Sequence, residues 1–395
     1  MKPMVDVGWR WNFTGTMDEE FSLDSDILYL NHAAVAPWPK RTADAVKAFA
    51  EENHRRGSVD YPRWLNTERA LRGRLQRLVN ATSEDDIALV KNTSEGLSLV
   101  AYGLPWQDGD NIVSTNQEFP SNRIVWESLR DRGVRLRCAD IAVDDPEGAI
   151  IASVDARTRL VSVSSVQYAT GLRLDLMRLG AACHERGVLF CIDAIQSLGA
   201  LCFDAEACHA DFVAADAHKW MLGPEGVAMF YSRPEARSQL GLVQYGWHMV
   251  ERAGDFDRTD WKPAATARRF EPGSPNMLGV HAMEASLSLL EQIGMSAVEA
   301  EVLGRTSWLV EAVLAEPELE LVTPRAAGRR AGIVTFRFRD RDADFHARLY
   351  RQLMDHRVIC ANRGGGIRYS PHFHTGADVI DEALRLALEL ARDVA

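Results

Sequence analysis

Between residues 85 and 231, the sequence alternates short apolar runs with longer amphipathic stretches. Each apolar run is four or five residues long, which is typical of a buried strand. The runs lie at 87–90, 111–114, 160–163, 188–192 and 211–215. The intervening stretches carry apolar residues at helical spacing, at 97–104, 120–132 and 174–186. Strands that alternate with helices predict βαβ units, so we expect an α/β fold with a mainly parallel central sheet flanked by helices.

This pattern changes at a stretch rich in proline and small residues, 261–275. Beyond it, a strand is predicted at 332–338, and helices are predicted at 279–293, 296–315, 343–356 and 377–393. We therefore predict a large α/β domain (28–262) and a smaller C-terminal α+β domain (263–395). An N-terminal arm (1–27) is expected to join the small domain.

Charge and composition exclude several classes of protein. Acidic residues outnumber basic ones, and the formal net charge is −11. Such a chain lacks the basic surface that binds phosphate backbones, so we expect no nucleic-acid partner. No run approaches about 18 apolar residues, and the first residues lack the apolar core of a signal peptide, so we expect no membrane partner and a cytoplasmic location. The six cysteines include no CxxC pair, and we predict no metal site.

The residues that follow the predicted strands are the candidates for chemistry, because open α/β sheets bind ligands at the carboxyl ends of their strands. Asn92–Gly96 begins a helix with hydroxyl side chains, which favours anion binding. Asp193 ends a wholly apolar strand, and Lys219 follows the next one. Arg368 follows a glycine-rich turn. Taken alone, each has an ordinary explanation: a helix cap, a buried ion pair, a solvated lysine or a surface arginine.

Taken together, these groups indicate one site. Asp193 and Lys219 are 26 residues apart, about one βαβ step, so they can flank the same ligand on neighbouring strands. A lysine at a buried strand end can lose its charge and act as an imine-forming nucleophile. An arginine suits the two-point binding of a carboxylate. With an anion-binding helix start, these are the groups that pyridoxal 5′-phosphate (PLP) needs in order to act on an amino acid.

These motifs resemble the class V aminotransferase family of fold-type I PLP enzymes. The resemblance runs from Leu28–Ala34 through Asn92–Gly96 to the segment of Arg368, and its most specific part is Asp193–Gly226. The family includes cysteine desulfurases, selenocysteine lyases, isopenicillin N epimerase and kynureninase. The resemblance implies the fold-type I architecture, a free α-amino acid as the small-molecule substrate, and a homodimer with active sites at the subunit interface.

The resemblance also implies which residues contact the cofactor. Lys219 would hold PLP as an aldimine and then move the proton at the substrate α-carbon. Asp193 would keep the pyridine nitrogen protonated, and Gln196 would hydrogen-bond the ring hydroxyl. The implied phosphate contacts are Thr93, Ser94 and His218, with Ser274 reaching the phosphate of the partner subunit.

Other residues resemble the parts of the family's site that face the substrate. Phe119 matches the aromatic residue that stacks on the cofactor in kynureninase, and a core phenylalanine is an equal alternative. Arg368 would bind the substrate carboxylate, helped by Gln167. The stretch 247–261 either lines the substrate pocket or forms an interface or surface loop. The loop that lines this pocket in the family is matched by Asn31 and His32.

One feature separates this sequence from the cysteine desulfurases of the family, which carry a nucleophilic cysteine on a loop between two arginines. Here only Gly364–Ile367 separates Arg363 from Arg368, and Cys360 lies in an apolar run that predicts a buried thiol. We therefore predict elimination at the β-carbon, such as C–S bond cleavage, without a persulfide-forming cysteine. Aminotransferase and epimerase activities need the same motifs and stay open, and a non-catalytic PLP-fold sensor is a more distant alternative.

Overall fold

A computed structural model describes residues 17–394, except for the side chain of Asp18. Residues 1–16 of the predicted N-terminal arm therefore lie outside the described residues. The described strands are β1 (Leu28–Tyr29), β2 (Ile87–Val90), β3 (Asn111–Thr115), β4 (Arg135–Ala139), β5 (Thr158–Ser164), β6 (Leu189–Asp193), β7 (Phe212–Asp216), β8 (Ala228–Ser232), β9 (Leu319–Leu321), β10 (Val334–Phe338), β11 (Val358–Ile359), β12 (Ala361–Arg363) and β13 (Gly366–Tyr369). The described helices are α1 (Met17–Glu20), α2 (Lys40–Arg56), α3 (Tyr61–Leu78), α4 (Thr93–Gly103), α5 (Ser121–Glu127), α6 (Pro146–Ala152), α7 (Leu176–Arg186), α8 (Pro234–Arg237), α9 (Met277–Ile293), α10 (Met295–Ala315), α11 (Ala343–Asp355) and α12 (Ala377–Asp393).

A seven-stranded sheet forms the centre of the fold, in the order β2-β8-β7-β6-β5-β3-β4. β8 is antiparallel to both of its neighbours, and the other adjacent strands pair in parallel. The predicted mainly parallel sheet is thus confirmed. The apolar pattern does not indicate β4, because this edge strand exposes about half of its side chains. β8 is fully buried, but a turn rather than a helix joins it to β7, which makes it antiparallel.

The direction of the strands brings the predicted functional segments to one edge of the sheet. All strands of this sheet except β8 run the same way, so their carboxyl ends lie together. Asp193, at the end of β6, is in register with Ser164 on β5 and with Ala214 on β7. α4 starts two residues after β2 and brings its N-terminus to the same edge. This edge is where the candidate site lies.

Two long helices that the sequence pattern does not indicate cover part of the sheet. α2 and α3 are rich in charged residues, and α2 fully buries only Thr42. α3 buries Trp64, Leu71 and Leu75, which share a hydrophobic core with residues of α9. Among the described helices, none combines the length and the apolarity needed to cross a bilayer.

The C-terminal part of the chain forms a second, antiparallel sheet in the order β12-β13-β10-β9, covered by α11 and α12. Its helices and its strand β10 fall where the sequence predicts them. A short parallel pair joins β1 to β11, with Leu28 opposite Val358. The next residue, Leu30, is buried in the core of this C-terminal part. The proposed domain boundaries stay predictions, but this pairing ties the segment at residue 28 to the C-terminal part.

Three histidines connect the start of the chain to the segment after β13. His372 accepts the N–H of Phe373 at Nδ1 (2.8 Å), so its Nε2–H donates to the carbonyl of Trp220 (3.0 Å). His32 donates from Nδ1 to the carbonyl of Ser370 (3.0 Å) and therefore accepts from Nε2 of His374 (3.2 Å). Burial lowers the pKa of all three imidazoles, to about 4 for His32. The contacts of His372 hold its ring neutral, because a proton on its Nδ1 would face the N–H of Phe373 that this nitrogen accepts.

This histidine cluster predicts an acid-sensitive stability. Above about pH 6.5, the histidines are neutral in both the native and the unfolded chain. Below that pH, the unfolded chain binds protons that the native protein does not, so stability is lost as the pH falls towards the native pKa values. For the two fully buried histidines, His32 and His372, the free energy of unfolding should fall by up to about 2.7 kcal/mol per pH unit between pH 6 and 5. Urea unfolding at several pH values measures this slope.

A matched pair of variants identifies the source of the slope. His32→Gln keeps a donor for the carbonyl of Ser370. It should reduce the pH dependence of the free energy of unfolding by the contribution of about one bound proton. His54→Gln changes an exposed histidine on α2 and should leave it unchanged. A free energy of unfolding that stays constant between pH 7 and 5 would contradict the prediction.

Candidate active site

A cavity of about 310 Å³ opens at the carboxyl edge of the central sheet, within the size range of small-molecule sites. Most of the residues singled out from the sequence line it. These are Thr93, Ser94, Phe119, Asp193, Gln196, His218, Lys219 and Arg368. The cavity therefore brings together groups from β6, β13, the N-terminus of α4 and the turn after β7.

Lys219 lies in the turn that follows β7 and is 8% exposed. The turn is held by Ala217, whose N–H donates to the carbonyl of Val227 (3.1 Å). Burial lowers the pKa of the Lys219 amine, and the nearby positive charge of Arg368 lowers it further, while Asp193 acts in the opposite direction. A lowered pKa favours the uncharged amine, which is the form that attacks a carbonyl.

Asp193 ends β6 and is 2% exposed. Its Oδ1 accepts the N–H of Ile195 (3.1 Å). Burial raises the pKa of this carboxyl group, and the charge of Glu118 raises it further, whereas the positive charge of Lys219 lowers it. A buried acid of this kind can share a proton with a basic nitrogen placed in the cavity. The pyridine nitrogen of PLP has the chemistry to be that partner.

Gln196 is held in one orientation by two partners. Its Oε1 accepts the indole N–H of Trp220 (2.9 Å), and its Nε2 donates to the carbonyl of Ala33 (3.0 Å). Since an indole nitrogen only donates, the oxygen of the amide must face Trp220. One N–H of Nε2 stays available towards the cavity, which suits a ring hydroxyl oxygen.

The N-terminus of α4 forms the anion-binding end of the cavity. Asn92 caps this helix by accepting the N–H of Glu95 (2.8 Å), and Thr93 accepts the N–H of Asp216 at its Oγ1 (3.1 Å). The Thr93 hydroxyl hydrogen is therefore free to donate. His218 also lines the cavity, and its Nδ1 lies 3.3 Å from Oδ1 of Asp216. Free donors at the start of an eleven-residue helix fit a phosphate, so the described residues fit PLP at both ends of the cavity.

Arg368 supplies a buried guanidinium at the other end. Its Nη1 donates to the carbonyl of Tyr168 (2.7 Å), and its Nη2 donates to Oδ1 of Asn31 (3.4 Å). Its Nε is buried and has no hydrogen-bond partner among the described residues. Burial lowers the pKa of the side chain to about 10, so it stays a cation at neutral pH. A carboxylate would satisfy the free N–H groups of this guanidinium.

Phe119 lines the cavity and is 38% exposed, so the alternative of a core phenylalanine does not fit its position. Its ring meets the ring of Tyr168 edge-on at 5.1 Å, and the centroid lies 5.5 Å from Nζ of Lys219. The preceding residue, Glu118, is a buried carboxylate that the sequence analysis missed. Its hydrogen-bond donors are Thr115, Asn122, Ser164 and Gln167. Glu118 thus holds the segment of Phe119 against β5, and an acid just beyond the end of β3 was the signal that could have found it.

Four of the predicted site residues do not line this cavity. Asn31 stays behind its wall, where its Oδ1 accepts from Nη2 of Arg368 (3.4 Å). His32 turns away into the histidine cluster, because Ser370 and His374 engage both of its ring nitrogens. Gln167 is fully buried and donates to Glu118, so its neighbour Tyr168 forms the wall instead. Ser274 is exposed in a separate groove beside the start of α4. The stretch 247–261 likewise contributes no lining residue to the cavity and forms a groove of its own.

The segment between Arg363 and Arg368 is a tight β-hairpin. β12 and β13 pair with Arg363 opposite Gly366, so only Gly364 and Gly365 form the turn. Both have positive φ values (60° and 77°), as a two-residue hairpin turn requires. None of the six cysteines lines the cavity, and burial raises the pKa of every one of these thiols. Cys360 is 1% exposed and has a pKa of about 12.

The chain is similar to known proteins in sequence and in fold. The family model described as Aminotransferase class-V matches residues 28–389. A relative from Methanothermobacter thermautotrophicus, named a probable cysteine desulfurase, is 33% identical over 293 residues, which cover 72% of each chain.

Solved structures share the fold of this chain. One is a mutant of C-DES with glycine covalently linked to the PLP cofactor (TM-score 0.86, 22% identity, 95% of this chain and 99% of that chain covered). Another is the complex of the cystine C–S lyase C-DES with cysteine persulfide (TM-score 0.84, 23% identity, 92% and 98% covered).

Proposed function

Because the chain belongs to the class V aminotransferase family and is a PLP-dependent enzyme, we propose that it is a lyase acting on a free α-amino acid. In this proposal, a bond at the β-carbon breaks, and no cysteine takes part as a nucleophile. The observation that carries the proposal is the convergence of Lys219, Asp193 and Arg368 on one cavity that no thiol lines. The cofactor, when bound, supplies a ring that withdraws electrons from the α-carbon.

Each end of the cavity would bind a different group. Thr93, Ser94 and the N-terminus of α4 hold the phosphate by donating hydrogen bonds to it. Asp193 would hold a proton at the ring nitrogen, and Gln196 would donate to the ring hydroxyl oxygen. Lys219 would be the residue that binds the carbonyl carbon covalently, which its lowered pKa favours.

The substrate would be held at the opposite end by its carboxylate. Arg368 lines the cavity, and the carbonyl of Tyr168 orients its guanidinium. Its buried Nε has no hydrogen-bond partner among the described residues. The substrate amine would take the place of Lys219 at the cofactor's carbonyl carbon, which would free the Lys219 amine. With the carboxylate fixed at Arg368, this free amine would be placed to remove the α-proton. The leaving group then departs from the β-carbon with the bonding electron pair. The cleavage of a C–S bond is supported by the names of the relative and the structural neighbour, a probable cysteine desulfurase and a cystine C–S lyase.

We expect Arg368→Lys to separate substrate binding from cofactor binding. Lysine keeps the positive charge but loses the planar two-point contact, so the amino-acid concentration that gives a half-maximal spectral change should rise at least about tenfold. Amino acids are added one at a time to the holoenzyme, and pyruvate and sulfide release are measured. Borohydride reduction followed by peptide mass spectrometry should still find the cofactor on Lys219.

Two results would count against these assignments. A cofactor label on a different lysine would remove Lys219 from its role. An unchanged amino-acid titration in Arg368→Lys would remove Arg368 from carboxylate binding. Formation of pyridoxamine phosphate instead of pyruvate would favour the aminotransferase alternative.

The absence of a nucleophilic cysteine predicts that thiol replacements are tolerated. Cys360→Ala should retain at least about half of the activity, since this buried thiol neither lines the cavity nor ionises near neutral pH. Cys138→Ala, at an exposed thiol on β4, serves as the matched control. Sulfur should leave as free sulfide or thiol, measured directly in the supernatant. Detection of a persulfide on a cysteine whose replacement abolishes turnover would overturn this part of the proposal.

We also propose that the enzyme is a homodimer, with the aromatic stretch 243–261 at the interface. This stretch exposes large apolar side chains around a groove of about 390 Å³, and exposed apolar patches mark interaction surfaces. The exposed aromatic residues are Tyr245, Trp247, Phe256 and Trp261. Ser274 is also exposed, as a residue that reaches the partner's phosphate must be.

Sedimentation should therefore give about twice the chain mass of 44.0 kDa. Trp261→Arg should shift the protein towards monomer and weaken cofactor retention, because it places a charge in an apolar contact. Leu314→Arg alters another exposed apolar residue, on α10, and should have no effect. A fully active monomeric wild-type protein would rule out the dimer.

A further inference from the structure

A second arginine lines the substrate end of the cavity. Arg363 ends β12 and contributes to the wall together with Arg368 on β13. Arg368 is assigned to the substrate carboxylate, and Arg363 has no part in the proposed reaction. Its Nη1 donates to the carbonyl of the preceding residue, Asn362 (2.8 Å), and no carboxylate in the described part of the chain forms an ion pair with it.

The register of the hairpin fixes both arginines on the same face. Arg363 lies opposite Gly366, and Ala361 lies opposite Arg368. Directly paired residues of an antiparallel ladder share a face, and so do residues two apart along a strand. The two arginines are therefore diagonal neighbours, which are about 7–8 Å apart in a regular ladder. Gly366 places no side chain between them.

The hairpin is held against the segment that follows β5. A Cβ at Gly364 would lie 2.9 Å from the carbonyl oxygen of Ala169, so a side chain there would disturb this close contact. The same carbonyl accepts the hydroxyl of Thr335 (2.7 Å). Arg363 is exposed whereas Arg368 is buried, which places Arg363 nearer the mouth of the cavity. The fold thus sets one guanidinium inside the cavity and a second one at its rim.

Two cations on one face repel each other unless an anion compensates them. Burial and, to a smaller extent, the positive charge of Arg363 lower the pKa of Arg368 to about 10. The two groups are therefore close enough to interact, and both are cations at neutral pH. A single carboxylate bound at the buried guanidinium leaves the charge at the rim uncompensated.

The acidic side chains that line the cavity lie further along the edge of the sheet. They are Asp193, which ends β6, Asp216, which ends β7, and Glu225, which precedes β8. Arg368 is held instead by the carbonyl of Tyr168, beyond the end of β5. In the sheet order, β6 and β7 lie between β5 and β8. The substrate end therefore has an excess of positive charge, which favours a ligand with more than one negative charge.

We propose that the substrate of this site is an α-amino acid that carries a second anionic group on its side chain. Arg363 binds this side-chain anion, a carboxylate or an oxyanion of sulfur, while Arg368 binds the α-carboxylate. The inference rests on the proposed function, because it takes the α-carboxylate to lie at Arg368. Arg363 is then a residue that determines specificity, and its loss affects anionic side chains without affecting the α-carboxylate.

Amino acids of equal shape that differ in charge test this assignment. Aspartate is compared with asparagine, and glutamate with glutamine, so that each pair isolates the charge of the side chain. Each amino acid is added to the holoenzyme, and the concentration that gives a half-maximal change in the cofactor spectrum is measured. In the wild-type protein, the anionic member of at least one pair should bind about tenfold or more tightly than the neutral member, as a hydrogen bond between charged groups supplies.

Variants of the two arginines should behave differently. Arg363→Gln should reduce the preference for the anionic member about tenfold and leave the binding of the neutral member within about twofold of wild type. Arg363→Lys keeps the charge and should retain part of the preference. Arg368→Lys should weaken the binding of both members alike, because both carry the α-carboxylate.

A matched control removes the same charge elsewhere. Arg159 is an exposed arginine at the start of β5, and the cavity lies at the other end of this strand. Arg159→Gln should leave every binding concentration unchanged. An equal loss of preference in this variant would show that overall charge, and not Arg363, selects the anion.

The possible failures of this inference differ from a failure of the proposed function. Equal binding of the anionic and neutral members by the wild-type protein would overturn the second anionic group. An equal loss for both members in Arg363→Gln would place Arg363 on the α-carboxylate instead, and a preference that this variant keeps would remove Arg363 from the role. In all three cases, amino acids still bind, and the proposed function stands. If no free amino acid changes the cofactor spectrum, the proposed function and this inference are both wrong.

Discussion

The buried indole of Trp220 is the contact on which the geometry of the site depends. Its N–H donates to Gln196, and its carbonyl accepts from His372. Its ring packs so closely on Gly332 that a Cβ there would lie 2.3 Å from Cη2. The residue before it, Lys219, is therefore attached to a point that three separate segments hold in place. A reactive lysine at the end of a strand gains its position from this neighbour, since its own side chain is flexible.

The cavity brings several buried ionisable groups together. Burial raises the pKa of Asp193 and lowers those of Lys219 and Arg368. Burial thus disfavours the charged form of each group, which is unfavourable for the protein without a ligand. A ligand with a basic ring nitrogen, an anionic end and a carboxylate would compensate each of these groups. Nε of Arg368, which has no hydrogen-bond partner within the described part of the chain, belongs to the same arrangement. Pre-organised buried charge of this kind is a common property of active sites.

Two segments beside the cavity limit the reactions that its residues can support. The Gly364–Gly365 turn closes the segment between two arginines into a hairpin and leaves no extended arm there. Behind Phe119, the Glu118 network fixes the segment that faces Lys219. These features support the proposed reaction, in which Lys219 would move the proton and the leaving group would depart without the help of a thiol.

The sequence by itself determined five of the seven strands of the central sheet and the groups at their ends, because the burial pattern of a strand is a local property. Asp193 and Lys219 could be paired from spacing alone, since adjacent parallel strands end at one edge. The side to which a loop residue points is decided by its tertiary neighbours. His32 turns into the histidine cluster because Ser370 and His374 bind both of its nitrogens, and Ala33 lines the cavity instead. Glu118 lies just beyond β3, which is a local signal, but its contacts with Ser164 and Gln167 join residues that are distant in the chain and that no local pattern encodes.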